Sequence, residues 1–327
     1  MSNPEPFQFA IEANDLRKTY RNNVKALDGL NLRVASGSIF ALLGPNGAGK
    51  STTIKILTTL SRPDSGEARV AGIDVLRDPQ RVRRSIGCVA QKPGVDDECT
   101  GHENLTLQGQ LHGLHGSELR QRVDSLLDRF SLTNAASRVA RTYSGGMKRK
   151  LDIAMGLIHH PRVLFLDEPT TGLDPEARAE LWVEISRLSS EGLSILLTTH
   201  YLEEADRLAQ SIAIIDRGRV VAEGTAEALK GELRGDSLEI ELAEPTSEAT
   251  INSALQNVAM LSEFQIAAKT LHARAEHGAT AVPPMLVALE AAGVKVASVK
   301  VARPTLDDVY LRHTGKTFQQ AEAQVNQ

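Results

Sequence analysis

The apolar and polar positions open on strands. Segments around Ile11 and across Leu30-Asn31-Leu32-Arg33-Val34 alternate, and Ile39-Phe40-Ala41-Leu42-Leu43 is a continuous apolar run of strand length. A glycine-rich loop follows, then a helical pattern starting near Thr52 with apolar residues at Ile54, Ile56, Leu57 and Leu60. Val70 and Ile86-Gly87-Cys88-Val89-Ala90 read as further strands. From Gly101 to about Val139 the pattern turns helical and polar, a helical insert within a subdomain spanning about 95–160. Strand and helix then alternate: VLFLD (163–167), a helix from Pro175, SILLTT (194–199), a helix from Tyr201, SIAIID (211–216) and VVAEG (220–224). Such alternation predicts an α/β fold with a largely parallel sheet covered by helices.

Beyond about Gly231 the texture changes. SLEIELAE reads as a strand and TSEATINSALQ as a helix; strand-like segments follow near Phe264 and over 269–275, then a helix over 284–292, a strand over 294–301 and a helix from Pro304. This is close to a βαββαβ order, compatible with a small ferredoxin-like α+β domain over 232–314. The tail after Gly315 reads as disordered.

Composition narrows the class. The 327 residues leave room for two domains, and 24% charged with 41% apolar residues fits a globular protein. A formal charge of -4 disfavours a general nucleic-acid binder, so no nucleic-acid partner is expected. Two cysteines, Cys88 and Cys99, are too few for a disulfide framework and form no CxxC, which reads as a reducing compartment. The start, MSNPEPFQFA, lacks the basic flank and apolar stretch of a signal peptide, and no run reaches bilayer-spanning length. A membrane role must therefore come through a partner.

The chemistry begins at Gly44-Pro45-Asn46-Gly47-Ala48-Gly49-Lys50-Ser51-Thr52. Gly44, Gly47 and Gly49 permit a tight turn that aims consecutive N–H groups inward, and the following helix N-terminus adds its positive end. Lys50 supplies a point charge for terminal phosphates and Ser51 a hydroxyl for a magnesium ion. At the end of the apolar run from Val163, Asp167 is suited to hold that magnesium through water, and Glu168 to polarise an attacking water as general base. Alone, this acidic pair would equally read as a helix cap; beside a phosphate loop the catalytic reading dominates.

Between the two motifs lies Tyr143-Ser144-Gly145-Gly146-Met147-Lys148-Arg149-Lys150, opening a helix that runs to about His159. This resembles the signature sequence of ATP-binding-cassette (ABC) transporter ATPases. On that resemblance Gln91 matches the Q-loop, Gly172-Leu173-Asp174 the D-loop, His200 the switch histidine, and Tyr20 the aromatic residue that stacks on adenine. The matching motifs cover residues 9 to about 231, which implies a P-loop cassette with a mixed sheet core and a helical subdomain, plus the small C-terminal domain. Two positions depart from the common Leu-Ser-Gly-Gly-Gln form: Tyr143 stands for leucine, and Met147 for a glutamine whose amide it cannot mimic as a donor. The YSGGM form, with Arg303-Pro304-Thr305-Leu306-Asp307-Asp308-Val309-Tyr310-Leu311, resembles the daunorubicin-type drug-resistance branch.

In the family the signature faces the nucleotide of a second subunit. One phosphate loop and one signature per chain then imply a head-to-tail homodimer with two ATP molecules at its interface. The resemblance assigns Lys50, Ser51, Gln91, Asp167, Glu168 and His200 to each site from one chain, and Ser144, Gly145 and Gly146 from the other. Gln91 would also reach the magnesium, and closure would swing the helical subdomain against an integral membrane permease on the cytoplasmic face of the membrane. Three assignments keep a plainer reading: Tyr20 as a half-buried strand aromatic, Asp174 as the cap of the helix at Pro175, and His200 as a helix cap. The competing function is a soluble ABC ATPase acting on ribosomes or DNA. Such proteins usually carry paired cassettes or long coiled-coil or zinc insertions, and neither is read here. Cys99, His102, His112 and His115 do not form a known structural zinc spacing, and Arg81 to Arg84 reads as a solvated helix face.

Overall fold

A computed structural model describes residues 8–233, 235–256, 258, 261–267 and 269–325. The chain divides into two compact units, Met1–Thr225 and Ala226–Gln327. The division falls ahead of the change in sequence texture at Gly231, because the short helix Ala226–Gly231 packs on the helix Leu306–Thr314.

The first unit contains two sheets. The central one has the order Arg219–Gly224, Ser211–Asp216, Ile39–Leu43, Ser194–Thr199, Val163–Asp167, Ile86–Val89. Its five successive neighbours from Ser211–Asp216 to Ile86–Val89 run parallel; only the hairpin strand Arg219–Gly224 is antiparallel. Ile39–Leu43 and Ser194–Thr199 are buried at every position, which is why they read as continuous rather than alternating apolar runs. The second sheet is antiparallel, in the order Val24–Ala35, Phe9–Tyr20, Ser65–Val70, Ile73–Asp74. One core joins the two sheets to the helix Lys50–Leu57, with Ile11, Leu30, Phe40, Ile56, Phe165 and Ile215 at its centre. That helix ends at Leu57, so Leu60, which continues its apolar pattern in sequence, is 72% exposed.

The helical insert contributes Gly101–Leu111 and Gly116–Arg129, and the subdomain around it adds Gly145–Leu157. A capping box, in which Thr100 Oγ1 accepts from Glu103 N and the Glu103 carboxylate accepts from Thr100 N, starts the first of them. The helix Gly116–Arg129 buries Leu119, Val123, Leu126 and Leu127, spaced to form one stripe.

In the second unit the order is strand Asp236–Leu242, helix Glu248–Leu255, strands Leu261–Ala267 and Thr270–Ala275, helix Gly278–Ala291, strand Val296–Ala302. The sheet is wholly antiparallel in the order Leu261–Ala267, Thr270–Ala275, Asp236–Leu242, Val296–Ala302, with both helices on one core of Leu238, Ile240, Ile251, Leu271, Met285 and Leu289. This is the βαββαβ succession of a ferredoxin-like domain. The helix starts at Gly278 rather than at the Pro284 suggested by sequence, with Pro283 and Pro284 inside it. Packing of Ala281, Met285 and Leu289 holds helical a segment that proline alone would interrupt. The tail read as disordered contains the helix Phe318–Val325. Phe318 explains it: the ring is buried edge-on against Tyr310 at 5.0 Å, and its N–H donates to Asp307 Oδ1 at 2.8 Å.

Candidate active site

The glycine-rich loop joins the central strand Ile39–Leu43 to the helix Lys50–Leu57. Gly49 sits at φ 116 as that helix begins, and a Cβ there would stand 2.6 Å from Ala26 O, so both conformation and space demand glycine. Lys50 is only 4% exposed, its ammonium folded back onto the loop: Nζ donates to Gly44 O at 2.7 Å and Pro45 O at 3.2 Å. The same Nζ lies 3.3 Å from Glu168 Oε1.

Glu168 is where the other predicted residues meet. Gln91 Nε2 donates to its Oε2 at 3.0 Å, and Thr171 Oγ1 to the same oxygen at 3.4 Å. His200 Nδ1 lies 3.2 Å from that oxygen too. Beside it, Ser51 Oγ donates to Asp167 Oδ1 at 3.5 Å, and Thr198 Oγ1 donates to the same oxygen. Burial alone would raise the Glu168 carboxyl, but the His200 imidazole and the Lys50 ammonium outweigh it and hold it at about 2. The residue also has φ 48, a left-handed conformation that costs a non-glycine residue about 1–3 kcal/mol. Its N–H is pinned to Thr198 O and Thr198 Oγ1, both at 3.1 Å.

The signature turn has different surroundings. Ser144 and Gly145 are exposed, and Ser144 Oγ caps the helix Gly145–Leu157 by accepting from Met147 N at 3.2 Å. A Cβ on Gly146 would stand 2.9 Å from Ala177 Cβ, and the nearest atom to one on Gly145 is Leu173 Cδ2 at 3.7 Å. The signature thus leans on its own chain's D-loop segment. Asp174 caps the helix Pro175–Ser190, accepting from Ala177 N at 2.8 Å, so its plainer reading holds whatever else it does. Tyr20 ends the strand Phe9–Tyr20, 41% exposed, with Lys18 Nζ 5.7 Å from its ring centre.

Residues 27–171 match the ABC transporter family. The daunorubicin resistance ATP-binding protein DrrA3 of Streptomyces coeruleorubidus is 45% identical over 316 residues, covering 96% of this chain and 98% of that protein. The chain belongs to the ABC transporter family. A daunorubicin/doxorubicin resistance ATP-binding protein of Streptomyces peucetius is 44% identical across 94% of this chain and 92% of its own. Similarity along nearly the whole length places the chain in the drug-resistance branch. A solved ATP-binding cassette, in a dimeric post-hydrolysis state with ADP and Pi, superposes with a TM-score of 0.61 at 26% identity, over 66% of this chain and 98% of that one. The family binds and hydrolyses ATP.

This ABC cassette uses residues that sequence reasoning passed over. Arg149, 4% exposed, donates to Ala90 O, Asp167 O, Glu168 O and Pro169 O and pairs with Asp152 at 3.3 Å. One guanidinium on the helix Gly145–Leu157 therefore fixes the backbone of Asp167 and Glu168 and of Ala90, which precedes Gln91. Burial lowers its pKa, though Asp152 pulls the other way. In sequence, Lys148-Arg149-Lys150 looks like a solvated charge run, while Thr198 is hidden in an apolar strand; no spacing rule separates either from its neighbours. Tyr143 occupies its variant position as a buried anchor, its hydroxyl donating to Ala135 O at 2.7 Å.

The donor set suits magnesium. A hydroxyl at Ser51 and a carboxylate at Asp167 converge, and such hard oxygens bind this ion together with substrate phosphates and water. Among the described residues no group of three or more His, Cys, Asp or Glu could hold a metal by itself.

Proposed function

We propose that this chain is the ATP-hydrolysing subunit of an exporter, two copies of which close head to tail around two ATP molecules to drive a separately encoded membrane permease. The observation that carries this reading is the convergence of Lys50, Gln91 and His200 on the Glu168 carboxylate, directly beside the Ser51–Asp167 pair. The phosphate loop, Gly44 to Thr52, takes the triphosphate through its backbone amides, and Tyr20 stacks on the adenine. Lys50 moves its charge from Glu168 to the terminal phosphate. The buried carboxylate then loses one of the two partners that hold its pKa down, and its basicity toward water rises. His200 holds that water and the γ-phosphate in line. Magnesium, held by Ser51, Asp167 and Gln91, would neutralise charge on the phosphate oxygens.

Ser144, Gly145 and Gly146 of the second copy complete each site, with Asp174 at the same interface. The exposure of Ser144, Gly145 and Asp174 in a single chain supports this, as does the dimeric state of the solved cassette. No helix among the described residues is long and apolar enough to cross a membrane, so transport needs a partner that does, and the chain works at the cytoplasmic membrane face through it. The relatives' names point to drug export; cargo choice rests with the permease. The test is Glu168→Gln with ATP and magnesium, read by size exclusion with light scattering. Hydrolysis should fall about 10²–10⁴-fold and a stable dimer should accumulate. A monomer under those conditions, with ATP bound, overturns the reading.

A further inference from the structure

The sheet has a second end, away from the phosphate loop. A cavity of about 480 Å³ lies there, its wall including Arg162 and Ser194. Those residues precede and open the strands Val163–Asp167 and Ser194–Thr199, whose far ends lead to Glu168 and His200. The size is that of a small-molecule site, and Leu126, Leu157 and Leu188 make much of the lining apolar.

Two arginines of one helix in this wall are answered differently. Arg129 is answered by Glu184 and by Glu191, the latter at 2.7 Å. Arg122, two turns earlier on the same helix, has no carboxylate partner among the described residues; its Nε donates to Ile158 O at 3.1 Å and its Nη2 to Leu157 O. A guanidinium has five donors and keeps its charge, so these two carbonyls at the C-terminal end of the helix Gly145–Leu157 leave donors free and only a partial negative charge beside it. The local field bears this out. Burial and Arg129 lower the pKa of Arg122, and His160, in the same wall, is lowered by burial and by Arg122 against the opposing pull of Glu118.

We propose that this cavity binds an amphiphilic anion, with a phosphate or carboxylate head on Arg122 and an apolar tail against Leu126, Leu157 and Leu188. The forked guanidinium suits such a head, and its partial desolvation strengthens the contact relative to a surface arginine. The ligand would bridge the entries of both strands that carry the catalytic carboxylates and the switch histidine, at a place distinct from the nucleotide.

Calorimetric titration of the full chain with octyl phosphate tests this, with the nucleotide site first saturated by ADP and magnesium so that the phosphate loop is filled. Saturable binding of one octyl phosphate per chain is expected, with inorganic phosphate at least 10-fold weaker and octyltrimethylammonium not bound. Arg122→Gln should weaken octyl phosphate at least 10-fold and Arg122→Lys by less, both with ADP affinity unchanged. Should Arg122→Gln lose ADP binding, Ser36→Trp, which fills the cavity from its rim, replaces it and should abolish octyl phosphate binding. Equal binding of octyltrimethylammonium, undiminished octyl phosphate binding in the folded variants, or Arg122-dependent flotation on phosphatidylglycerol vesicles without binding of dispersed octyl phosphate would each overturn the proposal.

Discussion

Two helix N-termini in this chain are proposed to meet an anion, and they differ in almost every other respect. At Lys50–Leu57 the cation is buried, bonded to its own loop and paired with Glu168, which in turn accepts from Gln91. At Gly145–Leu157 the serine and first glycine are exposed, and the turn is steadied from behind by Ala177 and Leu173. The first is a half-site whose charges are already balanced within one chain. The second presents donors to a surface that one chain does not cover. Arg149 links them, since it stands on the signature helix and fixes the backbone of Asp167 and Glu168. The lesson is that the closed half depends on internal pairing, whereas the open half is the one for which a second molecule is proposed.

Each prediction strains one side of that contrast. Arg149→Met removes the link and leaves Asp152 and four carbonyls without their donor; the buried half should lose about 3–5 kcal/mol, read as a fall in urea midpoint. Ser144→Arg should cost about 1 kcal/mol for the lost helix cap, leave monomer nucleotide affinity intact and cut ATPase turnover about 10²–10³-fold, since it fills the space proposed for another chain's phosphate. Tyr143→Phe deletes a buried donor to Ala135 O, so chemical denaturation should show a loss of about 1–3 kcal/mol with ATPase nearly retained. Asp174→Ala should cost about 1 kcal/mol if the residue is only a cap; a turnover loss much larger than that implies the interface role.

Acid stability sharpens the same contrast. The Glu168 carboxyl is depressed from 4.5 to about 2 in the folded chain. Its stabilisation is therefore complete above about 4.5 and lost as pH falls toward 2. Glu168→Gln should flatten that part of a pH–stability curve, whereas Ser144→Ala should leave its shape unchanged.

Much of this was legible in the sequence because the decisive signals are local. Glycine spacing at Gly44, Gly47 and Gly49, a charge at Lys50, and a carboxylate pair ending an apolar run each report one strand end or one turn. The βαββαβ order was readable for the same reason. What stayed hidden is non-local. Arg149 and Thr198 act through partners distant in sequence, and neither residue type nor period marks them. Leu60 followed the helical period yet is exposed, because the helix stops first. The helix at Phe318 exists through a tertiary ring contact with Tyr310, so a polar composition concealed it.

The central claim is that one triphosphate is held by two chains, and site-directed cross-linking tests it directly. Cys88 and Cys99 are replaced by serine, Ser144→Cys is placed in one preparation and Asn46→Cys in another, and the two are mixed with a short bis-maleimide in a Glu168→Gln background. A covalent heterodimer that forms with ATP and magnesium and not with ADP is the predicted result. Failure to cross-link with ATP, or an ATP-dependent link formed within a single chain carrying both substitutions, would contradict it.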